Sequence, residues 1–268
     1  MTTPAATTGL VQAVEQILQA QRKTKKPLAI VLAGHNGSGK STMWRRLLAR
    51  QLQMPLVNAD RMLLSLLPEA NSDGKLEAWA RALRDTDQSW MKVTQDGVQT
   101  FVGHAMQAKV PFAMETVFSY WNERPDGTVH SKLDLIRDMQ NAGYFVLLFF
   151  VGLTNVELSI LRVQTRVAEN GHGVELDRLL RRFPKTQRAI REAAKIADAT
   201  IFTDNSRDLK QAFTVCRVQL TDKALFDLRA GSDPVPAAIA AWLEVVSPQK
   251  SRDFDSPESG KRQTIATR

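Results

Sequence analysis

Eight consecutive residues, Gly34-His35-Asn36-Gly37-Ser38-Gly39-Lys40-Ser41, fit the pattern G-x-x-x-x-G-K-[ST] without exception. The apolar run LAIVLAG leads into them and MWRRLLARQLQ follows, the strand–loop–helix setting in which this pattern holds a nucleotide phosphate. Glycine at these positions lets successive backbone N–H groups turn inward around phosphate oxygens, where side chains would collide. A helix starting near Lys40 adds the positive end of its dipole. Gly34, Asn36, Gly37, Ser38, Gly39, Lys40, Ser41 and Thr42 are therefore expected to cradle the phosphates of ATP. Within that set Lys40 is expected to reach the β- and γ-phosphates, and the Ser41 hydroxyl to ligate Mg²⁺.

A phosphate cradle does not name its reaction. The chain has no N-K-x-D element for guanine, no L-S-G-G-Q signature and no apolar strand ending in Asp-Asp or Asp-Glu. Those absences count against GTPases, transporter ATPases and motors, and leave a phosphotransferase as the leading class. Such an enzyme needs a carboxylate to orient the acceptor hydroxyl and take its proton. Asp60 after PLVNA and Glu115 after VPFAM stand at strand ends, where ligands gather in an open parallel sheet. Asp60 is the expected base, although it also opens RMLLSLL and could simply cap that helix. Glu115, with Thr116 and Ser119 beyond it, is expected to hydrogen-bond a hydroxylated small-molecule acceptor. Arg162 and Arg166 share one helix face, and Arg178, Arg181 and Arg182 lie further on. Arginines of this kind either clamp the transferring phosphate or line a solvated face. Arg162, Arg166 and Arg181 are the clamp expected here.

The elements that must hold these groups alternate between strand and helix. LAIVLAG, PLVNAD, VPFAMET, YFVLLFFVGL and DATIFTDNS read as strands. Helical stretches separate them, and AFTVCRVQL is a candidate added strand. The expected fold is therefore α/β, a P-loop NTPase-type parallel sheet of about five or six strands with helices on both faces. In the leading helix, Leu10, Val11, Val14, Ile17 and Leu18 form one apolar stripe. Between residues 76 and 108, Trp79, Leu83, Trp90, Val93, Val98 and Phe101 are candidate buried positions. The expected division is an N-terminal helical segment over 1–26, a kinase domain over 27–246 and a disordered tail over 247–268.

Composition sets outer bounds. The 268 residues carry a formal net charge of +8, which suits acidic partners, whether nucleic acid or nucleotide. One cysteine, Cys216, precludes an internal disulfide or a thiolate cluster. MTTPAATTGL lacks the features of a secretory leader, and FVLLFFVGL is too short to span a bilayer. A cytoplasmic protein with no membrane association is expected.

The ordered series AGHNGSGKST, VNAD, ETVFS, NAGYFVLLFFVGL, RVQTRVAENGHGV, LLRRF and FTDNS resembles the zeta-toxin family of P-loop kinases, over roughly residues 28–206. The resemblance implies a kinase using ATP and Mg²⁺. Its well-known members phosphorylate the 3′-hydroxyl of UDP-N-acetylglucosamine and are held by a small antitoxin protein. It further implies Asp60 as base, Glu115 and Thr116 in the acceptor-binding segment, and Arg166 with one of Arg178, Arg181 or Arg182 on the phosphates. Three departures stand out. His35 replaces a proline common in the family, Asn170 a second glycine, and ETVFS lacks the arginine that the best-known toxins place on the sugar nucleotide. His172 in the same interruption is a turn residue or a ligand. A polynucleotide 5′-hydroxyl kinase and a nucleotide-dependent binding module are the rival readings.

Overall fold

The computed structural model describes residues 5–249 apart from 128, 170 and 172, so Asn170, His172 and nearly all of the expected tail lie outside the described residues. The chain runs α1 (Ala5–Thr24), β1 (Leu28–Gly34), α2 (Lys40–Met43), α3 (Ala49–Leu52), β2 (Leu56–Val57), α4 (Ala59–Leu66), α5 (Ala78–Asp85) and α6 (Gln88–Ala108). It continues through β3 (Phe112–Thr116), β4 (Trp121–Glu123), β5 (Val129–Ser131), α7 (Leu133–Asn141), β6 (Phe145–Gly152) and α8 (Val156–Ala168). α9 (Leu176–Ile196), β7 (Ala199–Asp204), β8 (Thr214–Leu220), β9 (Lys223–Asp227) and α10 (Ala237–Val246) complete it. A π-helical turn, Trp44–Leu48, joins α2 to α3.

The central strands form where the chain is apolar without alternation. All seven residues of β1 and all eight of β6 are buried, as strands covered on both faces must be. The main sheet has the order β2-β3-β1-β6-β7-β8-β9. β2, β3, β1, β6 and β7 run parallel, and β8 and β9 are antiparallel additions. β1 has β3 on one side and β6 on the other, so the chain's strand order reverses at β1 and opens a crevice at its carboxyl end. The cradle sits at that crevice.

One face of the sheet packs on α6, α7, α9 and α10 through Val98, Val102, Ile136, Ile190 and Trp242. The other packs on α1 and the helix after the cradle through Leu10, Val14, Ile17, Met43, Trp44 and Leu48. α1 is thus fixed to the sheet by its apolar stripe, although Val11 faces outward at 41% exposure. Cys216 is fully buried, which pushes its thiol up to about 12.

The region between 76 and 108 departs from the expected burial. Val98 is buried, but Trp79 and Val93 are 59% and 58% exposed, and Trp90 and Phe101 are also largely exposed. α5 instead turns Ala80 and Arg84 inward. The β4–β5 hairpin and β9 carry no apolar period that would announce them. The hairpin rests on the turn around Pro125-Asp126-Gly127, with Gly127 at φ +78. Among the described residues no helix is long and apolar enough to cross a membrane.

Candidate active site

The cradle is braced from three sides. Gly34 leaves no space for a side chain, because a Cβ there would lie 2.5 Å from the Val151 carbonyl of β6. Gly39 takes φ +90, the left-handed conformation that lets the loop enter α2. Asn205, just past β7, donates to the Ser38 carbonyl at 2.8 Å, and Ser159 of α8 donates to the Asn36 carbonyl at 2.7 Å. Lys40 Nζ folds back over this loop and donates to the Gly34 and His35 carbonyls at 3.0 and 2.9 Å. Its burial lowers its pKa, opposed by Glu115 and Asp60 and reinforced by Arg166. An ammonium so placed gains most from a nearby anion.

His35 packs inward rather than toward solvent. Its ring stacks on Phe183 of α9, with centroids 3.9 Å apart, and meets Phe150 edge-on. Both ring nitrogens are buried without a hydrogen-bond partner. Burial, with Lys40 adding, pushes its pKa down to about 3, so the imidazole is neutral at physiological pH. His35 acts here as a flat apolar surface that couples the cradle to α9.

Glu115 lies next to the cradle through sheet register, since β1 pairs Leu32 with Glu115. Ser41 Oγ donates to its two carboxylate oxygens at 2.9 and 2.8 Å, and Asn58 Nδ2 donates to one of them at 2.7 Å. Glu115, expected toward the acceptor, is hydrogen-bonded to the Ser41 hydroxyl of the cradle. Asn58 also caps α4 by accepting from the Arg61 N–H at 3.1 Å. One side chain therefore ties the helix that bears Asp60 to β3 and to the cradle. Asn58→Ala is expected to cost about 1 kcal/mol from the lost cap alone. A lowered thermal midpoint together with slower phosphoryl transfer is the expected result, and a lowered midpoint with unchanged transfer would separate the cap from the site.

Asp60 occupies the first turn of α4, exposed at the rim of a shallow cleft. Leu63, Leu64, Arg84, Met91, Thr94 and Gln95 line that cleft. Arg84 is paired with Asp85. The Asp60 charge opposes the lowering of the Lys40, Arg166 and Arg182 pKa values by burial.

The arginines sort by helix phase. Arg162 stands over the cradle, 3.0 Å separating its Cβ from a Cβ built on Gly37. Arg166 is half-buried, its Nε without a partner, and burial lowers its pKa against the pull of Asp60 and Glu115. Gly171 gives Arg166 its room, since a Cβ there would lie 2.5 Å from the Arg166 Cγ. On α9, Arg181 is exposed, whereas Arg182 is half-buried and within the field of Asp60. Arg182 lies one residue and about 100° further around the helix than Arg181, the arginine expected in the clamp. Thr42 lies in α2, and Ser119 lies half-buried between β3 and β4. Thr116 accepts a hydrogen bond from Lys132 Nζ. Lys132, Asn58, Ser159 and Asn205 were not singled out by the sequence, although Asn58 stands inside the VNAD stretch.

The sequence profile of the zeta-toxin family matches residues 13–225. An uncharacterized protein of Haemophilus influenzae is 24% identical over 149 residues, which make up 56% of this chain and 87% of that protein. Among solved structures, a chain of the AvrRxo1-ORF1:ORF2 complex with ATP superposes with a TM-score of 0.55 at 14% identity, over 91% of this chain and 74% of that one. This likeness shows the fold. A chain of the PezAT chromosomal toxin–antitoxin system of Streptococcus pneumoniae gives a TM-score of 0.49 at 17% identity, over 90% of this chain and 89% of that one.

Proposed function

The chain belongs to the zeta-toxin family and is an ATP-dependent kinase, and from that premise we propose that it phosphorylates a hydroxyl of UDP-N-acetylglucosamine. The observation that carries this reading is the continuous link from cradle to cleft. Ser41, Glu115 and Asn58 are joined by hydrogen bonds of 2.7–2.9 Å, and Asn58 caps the helix on which Asp60 overlooks the cleft. Such a link supports the reading, because it would hold a base at Asp60 in a set position relative to a phosphate in the cradle.

In this reading the acceptor lies in the cleft with its hydroxyl against the Asp60 carboxylate. The acceptor oxygen bonds to the γ-phosphorus as the bond between that phosphorus and the β–γ bridging oxygen breaks. The hydroxyl proton passes to Asp60, and ADP leaves. Lys40, Arg162, Arg166 and Arg182 stabilise the charge on the transferring group. The oxygens of Ser41 and Glu115 suit a hard cation, and a Mg²⁺ held there would neutralise charge between the β- and γ-phosphates. Residues 27–246 form the kinase domain in this reading, with α1 packed on its sheet. The protein acts as a toxin in the cytoplasm by draining a cell-wall precursor, and a small inhibitory protein is its partner.

The test is an incubation of the protein with ATP, Mg²⁺ and UDP-N-acetylglucosamine, read by mass spectrometry. A product heavier by one phosphate supports the reading. The net charge of +8 favours a second acceptor, the 5′-hydroxyl of a polynucleotide. Phosphate on a 5′-hydroxyl oligonucleotide, with none on the sugar nucleotide, would replace the first reading by the second.

A further inference from the structure

Lys132 stands where a cation is hard to explain by its protein neighbours. It is half-buried at the N-terminus of α7, between the β4–β5 hairpin and the strand ends. An ammonium there faces the positive end of the helix dipole, the unfavourable sign. Its Nζ hydrogen-bonds Thr116 Oγ1, an uncharged hydroxyl one residue beyond Glu115. The charges that act on it from neighbouring elements are Lys40 of α2 and Arg182 of α9, both positive. On its own element, Asp134 is engaged elsewhere: it pairs with Arg137 at 3.1 Å and accepts from the Ser131 N–H. Removal from water and the two cations together push the Lys132 pKa down to about 8.

Lys40 lies on the Gly34 and His35 carbonyls and Arg182 lines a small cavity with His35 and Asn36, so three cations from three separate elements act on one another beside the cradle, and among the described residues Lys132 hydrogen-bonds the Thr116 hydroxyl. A purely structural lysine at this place would be driven outward, because its long stem can reach water at little cost. A phosphate anion removes the conflict, because it accepts charge-assisted hydrogen bonds from all three. The α- and β-phosphates belong to the backbone of the loop. In the kinase reading this leaves the terminal phosphate as the anion open to a cation beside Thr116.

We propose that Lys132 is a phosphate-binding residue that grips the γ-phosphate of ATP from the acceptor side, opposite Lys40 and alongside Arg182. The proposal rests on the kinase reading of the cradle and is independent of the acceptor. Lys132 discriminates between nucleotides: it engages the triphosphate and makes no contact with ADP, so that it holds substrate and lets the diphosphate product leave.

Calorimetric titration with ADP and with the non-hydrolysable analogue AMP-PNP, each with Mg²⁺, tests this without any acceptor. Lys132→Gln is expected to weaken AMP-PNP binding by about tenfold or more and to leave ADP binding unchanged. Lys132→Arg is expected to restore the preference for AMP-PNP, because the charge returns. The pH profile gives a second readout. The free wild-type protein loses the Lys132 proton as pH rises through about 8, so its AMP-PNP affinity falls from that pH upward more steeply than that of Lys132→Arg, in which only Lys40 contributes a lowered lysine pKa. An equal loss for both nucleotides in Lys132→Gln, not restored by Lys132→Arg, would show a structural role and overturn the proposal. Unchanged AMP-PNP binding in Lys132→Gln would also overturn it, with the kinase reading left standing. A wild-type protein that binds neither nucleotide would remove the kinase reading and this proposal together.

Discussion

Asp60→Asn is expected to lower phosphoryl transfer by about a thousandfold while ATP binding is retained, a magnitude typical of a lost general base. The substitution keeps the side-chain size and the α4 turn, and removes only the carboxylate. Asp60 lies in the same field as Lys40, Arg166 and Arg182. Its negative charge therefore opposes the phosphates as well as drawing the hydroxyl proton. Removing it should leave ATP affinity level or slightly higher, so kcat falls and KM for ATP does not rise. Steady-state kinetics on the phosphorylated product, with ATP binding measured separately, reads both quantities. A variant that keeps full transfer would return Asp60 to the plain role of a residue in the first turn of a helix.

Lys40→Met should be the more damaging change, abolishing transfer to below about a thousandth and weakening ATP binding as well. The methionine retains the buried stem and so separates charge from packing. The Lys40 ammonium donates to two carbonyls of its own loop, Gly34 and His35. Binding must exchange those contacts for phosphate oxygens, a trade from neutral to charged acceptors that favours the nucleotide. Because burial lowers the Lys40 pKa while Glu115 and Asp60 oppose that, loss of either carboxylate would lower it further. Loss of ATP binding in Lys40→Met with an unchanged thermal midpoint is the expected pattern. Preserved binding and transfer would contradict the account of the cradle.

The cradle and the central strands were legible because their signals are local. β1 and β6 are continuous apolar runs, and the residues expected to hold phosphate are contiguous in sequence. The place of Asp60 was legible for the same reason, standing at the end of a short strand. The partner of Glu115 was not, since Ser41 and Glu115 are 74 residues apart and meet only through the β1–β3 register. The choice between Arg181 and Arg182 depends on the phase of α9, which is set by Leu179, Phe183 and Thr186 packing inward. Both arginines carry the same charge, so composition could not separate them. The exposure of Trp79 was also hidden, because α5 is only eight residues long and buries Ala80 and Arg84 instead. His35 shows the opposite case. A titratable residue in a phosphate loop invites a chemical role, yet its stacking on Phe183 makes it part of the packing.

The most direct measurement follows the γ-phosphate itself. ATP labelled at that position would be incubated with the protein, Mg²⁺ and a pool of small cellular metabolites, with Lys40→Met as the blank, and the labelled product identified by mass spectrometry. The account predicts label on a hydroxyl of UDP-N-acetylglucosamine, absent from the blank. Label that appears only as free phosphate, or on other hydroxyls with none on the sugar nucleotide, would contradict it.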